Sequence, residues 1–169
     1  DLGAKGIIVP MINTTLEAKN AISYATYPPK GQRGYALARA QGFGYNLNNY
    51  LKVLKNIKIV VQIETIKAIN NLGEILKEKG IHSTLIGPRD LSGSIGKAGA
   101  YKNKKFIKAL QKYEKLSKQN KVSMGMHVAF PKTEILNKFI KKGYKFVAIG
   151  TDMTFLGDTI KEKIDKIKK

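Results

Sequence analysis

Two acidic side chains each follow a short apolar run in the sequence. Glu64 ends the run IKIVVQIE at residues 57–64, and Asp90 follows the run STLIGP at residues 83–88. If both runs are parallel strands joined by one helix, they can be neighbours about 4.8 Å apart, with both carboxylates at the same edge of the sheet. Two such anions repel each other unless a proton or a cation lies between them.

This acidic pair suits a hard divalent cation. Mg²⁺ and Mn²⁺ prefer oxygen ligands, often bind through one or two carboxylates, and leave positions open for substrate and water. The chain has no cysteine, which excludes thiolate ligands, thiolate catalysis and disulfides. A second interpretation is that Glu64 and Asp90 cap the helices that follow them, where the helix dipole favours an acid. The spacing alone leaves both interpretations open.

Five continuously apolar runs predict five buried strands in a parallel sheet. They cover residues 6–11, 57–64, 83–88, 122–128 and 146–151. Helical patterns lie between and after them, and Thr14 with Glu17 has the spacing of a capping box. Strand and helix alternate with little between them, which favours an α/β fold with parallel strands and right-handed crossovers.

The longest irregular segment is rich in glycine and proline. It starts at YPPKGQRG and continues through ARAQGFGYN, over residues 27–46. A loop of this length is uncommon unless it covers something or meets a partner. Arg33 within it could face an anion or another subunit, and we interpret it as structural.

Composition narrows the class of protein. The chain of 169 residues has the size of one domain. Its net charge of +19 would suit a nucleic-acid binder, but its arginines are only Arg33, Arg39 and Arg89 and its lysines are scattered. We therefore expect a lysine-rich solvated surface and no nucleic-acid partner. No apolar run approaches the roughly 20 residues of a membrane span, so we expect a cytoplasmic protein without a membrane partner.

Five strands leave two architectures open. An open doubly wound sheet would be complete at this size, but no GxGxxG or P-loop pattern follows any of the strands. A (β/α)₈ barrel needs eight strands and about 250 residues, so this chain would hold only part of one.

The sequences of several motifs resemble those of one enzyme family. VVQIET, NLGEIL, LIGPRDLS, SIGKAG, GIIVPMINTTLEA, YPPKGQRG, ALARA and FVAIGTDMTFL closely resemble the HpcH/HpaI aldolases, which are class II, metal-dependent pyruvate aldolases. The resemblance extends over the chain, and the linked pair QIET and GPxDLS is specific to this family. Citrate lyase beta chains and malyl-CoA lyases share the barrel and an acidic pair, but the YPP-G-RG and GPxDLS motifs of this sequence fit them less well.

The resemblance implies a fold and an activity. The fold would be a (β/α)₈ TIM barrel of the phosphoenolpyruvate/pyruvate type, with its last five strands present in one partial barrel domain over residues 1–169. The activity would be a carbon–carbon lyase of the 4-hydroxy-2-oxo acid or 2-dehydro-3-deoxyglucarate aldolase type, releasing pyruvate and an aldehyde. The cofactor would be Mg²⁺, Mn²⁺ or Co²⁺. The family's trimer of dimers, which exchanges the last helix, implies a homo-oligomer.

The resemblance also assigns roles to residues of the metal half of the site. Glu64 and Asp90 would bind the divalent metal, and Gln62 would contact the bound pyruvate or its enolate. The backbone N–H at Arg89 would donate to the pyruvate carboxylate. Arg89 departs from the family, which usually has alanine or serine there, and its side chain could point to solvent or add a cation for an acidic substrate.

The base half of the site is only partly represented. Asp1 matches an aspartate that assists a histidine base, whereas that histidine and an enolate-stabilising arginine would come from earlier strands outside this chain. His127 stands where the family meets the aldehyde half of the substrate, and it could equally be structural. We interpret His82 and Asp152 as structural. Two alternatives to an enzyme remain: a non-catalytic or partner-dependent remnant that binds metal or 2-oxo acid, and a basic nucleic-acid binder.

Overall fold

The computed structural model describes residues 1–54 and 57–167. Five parallel strands form one sheet in the order β1-β2-β3-β4-β5, so neighbouring strands are consecutive in the chain. They are β1 (Gly6–Val9), β2 (Lys58–Ile63), β3 (Ile81–Ile86), β4 (Gly125–Val128) and β5 (Phe146–Ile149). The five predicted strands and their parallel arrangement are confirmed, with small differences in their ends.

Seven α-helices and one short 3-10 helix connect or follow the strands in the described part of the chain. They are α1 (Thr15–Ala25), α2 (Leu47–Leu54), α3 (Ile66–Ile75), α4 (Pro88–Gly93), α5 (Lys104–Gln119), α6 (Thr133–Lys141) and α7 (Asp152–Ile167), with the 3-10 helix at Arg39–Gln41. No helix among these residues is both long and apolar enough to cross a membrane.

The predicted capping box opens α1. Thr14 Oγ1 accepts from the backbone N–H of Glu17 at 3.2 Å, and Glu17 Oε2 accepts from the backbone N–H of Thr14 at 3.0 Å. The backbone N–H of Asn13 also donates to Glu17 Oε2, and this bond is the main cause that lowers the pKa of Glu17. The first turn of α1 is therefore fixed by side chains within five residues of sequence.

The two faces of the sheet have different surroundings. Ile59, Val61 and Ile63 of β2 point to one face, where they pack in a buried cluster with α3 and α5. Val60 and Gln62 alternate with them and point to the other face. Val60 is only 7% exposed although it lies outside that cluster, so the second face of the sheet is also covered at this position.

The outer strands differ from the prediction that all five are buried. β1 pairs with β2 and β5 pairs with β4, so β1 and β5 form the two edges of this sheet. Ile8 on β1 is 46% exposed and Ile149 on β5 is 50% exposed. A continuously apolar run predicts that both faces of a strand are covered, but it does not show which elements cover them.

A buried tyrosine joins α5 to the middle of the sheet. Tyr113 Oη lies 2.7 Å from Thr84 Oγ1 on β3 and accepts from the backbone N–H of Gly125 on β4 at 3.0 Å. Burial raises the pKa of Tyr113 to about 12. The strands approach so closely that a Cβ at Gly125 would lie 2.4 Å from the carbonyl oxygen of Thr84. Tyr113 thus satisfies polar groups that no water can reach.

Replacing Tyr113 with phenylalanine should destabilise the chain. The backbone N–H of Gly125 would lose its partner in a buried position, which costs about 1–3 kcal/mol in the free energy of unfolding. Urea unfolding of Tyr113→Phe measures this loss. Tyr101→Phe is the matched control, because Tyr101 is 48% exposed and its hydroxyl makes no hydrogen bond among the described residues. Equal losses in the two variants would contradict the role given to Tyr113.

Candidate metal-binding site

The structure brings the two acids to the carboxyl ends of neighbouring strands. Glu64 directly follows β2, and Asp90 lies in the first turn of α4, which directly follows β3. Glu64 is only 5% exposed. The register pairs Ile63 with Ile86, so both strands end at the same level. The predicted proximity of Glu64 and Asp90 follows from this register.

Their carboxylates face one small space above Gly87. A Cβ built on Gly87 would lie 2.8 Å from Glu64 Oε2, 3.0 Å from Gln62 Nε2 and 3.3 Å from Asp90 Oδ2. Any side chain at this position would enter the space on which the three groups converge. Gly87 was not predicted from the sequence, although a glycine between a strand and the acid of GPRD is the pattern that could have indicated it.

The interpretation of Glu64 as a helix cap is wrong. Thr65 is the N-cap of α3, because its side chain accepts from the backbone N–H of Ala68. Asp90 does lie in the first turn of α4, where the helix dipole favours an acid, but the N-cap residue there is Gly87. α4 itself was not predicted. It begins at Pro88, whose fixed backbone suits the first helical position.

Two donors compensate the buried carboxylate of Glu64. The backbone N–H of Met11, in the loop after β1, donates to Glu64 Oε1 at 2.8 Å. Gln62 Nε2 donates to Glu64 Oε2 at 2.7 Å. A buried carboxylate requires such partners, since an uncompensated charge is costly in the interior. The N–H of Met11 was also missed from sequence, because only its backbone conformation directs it toward Glu64.

The donors present fit a hard divalent cation. Glu64 and Asp90 offer carboxylate oxygens beside a space that Gly87 keeps open. Residues 1–54 and 57–167 contain no group of three or more His, Cys, Asp or Glu side chains that could hold a metal. The chain would therefore supply two carboxylate ligands, which matches the way Mg²⁺ often binds with water and substrate completing its coordination.

The other predicted substrate-binding residues lie at the same end of the sheet. Gln62 stands one layer below Glu64 on the same face of β2. The backbone N–H of Arg89 belongs to the first turn of α4, where helix geometry provides no intrahelical acceptor, and its side chain is exposed. The register places His127 level with Glu64 but two strands away, a spacing of about 10 Å.

Asp1 lies near the opposite end of the sheet. Its carboxylate Oδ1 is 3.3 Å from Arg33 Nη2, and with Ala4 and Ile57 it lines a cavity of about 420 Å³ beside the amino ends of β1 and β2. The guanidinium of Arg33 also stacks over the ring of Tyr27 at 4.7 Å, in agreement with a structural role. Within this chain, the structure does not bring Asp1 together with Glu64.

His82 and Asp152 also lie outside the space above Gly87. His82 is an exposed residue near the amino end of β3. Asp152 begins α7, and its Oδ1 accepts from the backbone N–H of Met153 at 2.8 Å. The structural roles of His82 and Asp152 stay predictions.

Comparison with known proteins gives the family. The family model for HpcH/HpaI aldolase/citrate lyase matches residues 1–158. The chain belongs to this family. It is 31% identical to a 2-keto-3-deoxy-L-rhamnonate aldolase of Escherichia coli, over 99% of this chain and 63% of that protein. It is 34% identical to a 4-hydroxy-2-oxo-heptane-1,7-dioate aldolase of Salmonella heidelberg, over 92% of this chain and 59% of that protein.

A solved structure of the HpcH/HpaI family shares the fold. The HpcH/HpaI aldolase from Desulfitobacterium hafniense superposes with a TM-score of 0.89 at 24% identity, covering 100% of this chain and 66% of that one. The curled five-stranded parallel sheet is therefore consistent with part of a TIM-barrel-type aldolase. The chain spans 60 to 66% of the length of the first curated aldolases that it matches.

Filling the space above Gly87 should weaken metal binding by this HpcH/HpaI chain. The backbone of Gly87 has φ −90°, which alanine adopts readily, so Gly87→Ala acts through its Cβ alone. We expect the dissociation constant for Mn²⁺ to rise about tenfold or more in calorimetric titration. Gly93→Ala, also in α4, is the control because its Cβ would meet only Ala98 Cβ at 3.8 Å. Unchanged affinity in Gly87→Ala would exclude this space as the metal site.

Proposed function

We propose that residues 1–169 form the metal- and pyruvate-binding half of a class II aldolase. The reaction is cleavage of a 4-hydroxy-2-oxo acid into pyruvate and an aldehyde. The observation that carries the proposal is the convergence of Glu64, Asp90 and Gln62 on one open space at the carboxyl ends of β2 and β3. Membership of a family whose curated relatives are named aldolases supports the reaction class.

Glu64 and Asp90 would hold the cation in this proposal. A bound Mg²⁺, Mn²⁺ or Co²⁺ supplies Lewis acidity, which stabilises the negative charge that develops on the keto oxygen when the carbon–carbon bond breaks. Burial of Glu64 and its two hydrogen bonds keep the carboxylate in one orientation before the substrate arrives. This preorganisation avoids a cost of reorientation during the reaction.

Gln62 and Arg89 would orient the 2-oxo acid. The amide of Gln62 lies beside Glu64 and faces the same space, where it can donate to an oxygen of pyruvate or its enolate. The backbone N–H of Arg89 would donate to the pyruvate carboxylate. His127, two strands from Glu64, would then meet the aldehyde half, which extends away from the pyruvate half.

The proton of the 4-hydroxyl group must leave to a base. The position of Asp1 near the amino ends of the strands keeps it away from Glu64 within one chain. In this proposal, the base is a histidine that is absent from residues 1–169, and Asp1, which lies away from Glu64 in its own chain, would assist it at the site of a neighbouring copy. The alternative is a remnant that binds metal or 2-oxo acid without cleaving it, or that needs a partner chain to do so.

Metal binding and pyruvate release together decide between the enzyme and the binding remnant. We expect Mn²⁺ to bind the chain, and Glu64→Gln to raise the dissociation constant at least about tenfold. Pyruvate release from 4-hydroxy-2-oxo acids by the full-length protein is followed by coupled NADH oxidation, with and without Mn²⁺. Glu74→Gln is the matched control, because the Glu74 side chain is 68% exposed on α3.

The outcomes separate the alternatives. Mn²⁺ binding with metal-dependent pyruvate release, both lost in Glu64→Gln and kept in Glu74→Gln, supports the aldolase. Mn²⁺ binding without pyruvate release overturns the aldolase in favour of the binding remnant. Absence of Mn²⁺ binding overturns the aldolase and the metal-binding form of the remnant.

A second copy of this chain is the partner that we infer for α7. None of the residues of α7 is buried. Five of its six large exposed apolar side chains recur at helical spacing and form one stripe, from which Phe155 is offset: Met153, Leu156, Ile160, Ile164 and Ile167. An apolar stripe of this length is typical of an association surface. The homo-oligomer implied by the family resemblance supplies such a surface on every copy.

A charge within this stripe should weaken self-association. Ile160→Glu places a carboxylate in an apolar contact, where it cannot be solvated, so we expect a lower mass in sedimentation equilibrium than for the unaltered chain. Thr159→Glu adds the same charge at a neighbouring position outside the stripe and should leave the mass unchanged. An unaltered chain that is monomeric, or an Ile160→Glu variant of undiminished mass, would contradict the inference.

A further inference from the structure

The bond from Met11 to Glu64 depends on an unusual backbone conformation. Met11 has φ +56°, in the left-handed region that residues with a Cβ rarely adopt. Its side chain is 53% exposed, whereas the next residue, Ile12, is 4% exposed in the core cluster. The left-handed turn thus separates an exposed side chain from a buried one and turns the N–H of Met11 toward Glu64 Oε1. Such a conformation persists only where surrounding contacts hold it.

The side chain of Asn13 supplies these contacts. Its Nδ2 donates to the carbonyl oxygen of Met11 at 2.7 Å. Its Oδ1 accepts a hydrogen bond from the hydroxyl of Thr65, the residue after Glu64. One carboxamide therefore joins the loop that follows β1 to the loop that follows β2, on the two sides of the bond between Met11 and Glu64.

The backbone of Asn13 is fixed independently of its side chain. Its N–H donates to Glu17 Oε2 at 2.6 Å, next to the capping box of α1. Its carbonyl oxygen accepts from Asn71 Nδ2 on α3 at 2.8 Å. Alanine at position 13 retains both of these backbone groups. The substitution consequently tests the carboxamide alone, without removing the first turn of α1.

We propose that Asn13 is a positioning residue for the metal site. By holding Met11 in its left-handed turn, Asn13 keeps the N–H of Met11 on Glu64 Oε1, and this leaves Glu64 Oε2 facing the space above Gly87. Asn13 acts through Met11 and Glu64 and does not touch the substrate. The inference rests on the proposed function, because it takes Glu64 as a ligand of the divalent cation.

Two readouts on the 169-residue chain test this role. The first is the hydrogen-exchange rate of the Met11 amide by NMR, which reports the bond to Glu64 directly. The second is the dissociation constant for Mn²⁺ from calorimetric titration. In Asn13→Ala we expect Met11 to exchange at least about tenfold faster and Mn²⁺ to bind about tenfold more weakly.

Two controls separate positioning from a general loss of structure. The amide of Thr84, which donates to the carbonyl oxygen of Ser123 at 2.9 Å, should exchange at the same rate in Asn13→Ala as in the unaltered chain. Asn70→Ala replaces an exposed asparagine on α3 and should change neither readout.

Each outcome has one meaning. Faster exchange at Met11 with weaker Mn²⁺ binding and unchanged exchange at Thr84 supports Asn13 as a positioning residue. Unchanged exchange at Met11, or faster exchange with unchanged Mn²⁺ affinity, overturns this role while the proposed function stands. Failure of the unaltered chain to bind Mn²⁺ overturns the proposed function and the metal-positioning role with it, even where Asn13 is shown to hold the Met11 amide.

Discussion

A carboxylate buried at the end of a central strand is the constraint on which the site depends. Glu64 is almost fully covered, so its charge must be balanced within the protein. The chain meets this requirement with one backbone donor from the loop after β1 and one side-chain donor from β2. These bonds leave Glu64 Oε2 beside the same open space as Asp90. A local excess of negative charge at a space without a side chain is the condition under which binding a cation is favourable.

The parallel register turns this local arrangement into a site. Ile63, Ile86 and Met126 are paired across three strands, so Glu64, Gly87 and His127 follow at one level. Residues that are far apart in sequence thus share a layer because hydrogen bonding between strands allows only discrete shifts. The same register places Gln62 one layer deeper, where its amide donates to the carboxylate of Glu64.

The elements that were predictable from sequence are those that depend on local chemistry. The five strands, the capping box at Thr14 and the proximity of Glu64 and Asp90 all follow from apolar periodicity, helix capping and the geometry of parallel sheets. The left-handed turn at Met11 could not be predicted, because methionine has no preference for it and the contacts that hold it come from Asn13. The apolar composition of β1 and β5 did not indicate their exposure for a related reason, since it does not reveal which neighbours a strand has.

The residues around the candidate metal site come from consecutive strands and the loops that follow them. Met11, Asn13, Gln62, Glu64, Gly87 and Asp90 all belong to the first three strands or to the segments that directly follow them. α7 and the edge strand β5 lie later in the chain, whereas the two hydrogen bonds to the carboxylate of Glu64 come from Met11 and Gln62. The geometry of the carboxylates therefore depends on contacts within three consecutive units, whereas association through α7 depends on a separate apolar surface. For that reason, a change in α7 can alter assembly while the hydrogen bonds that orient Glu64 remain intact.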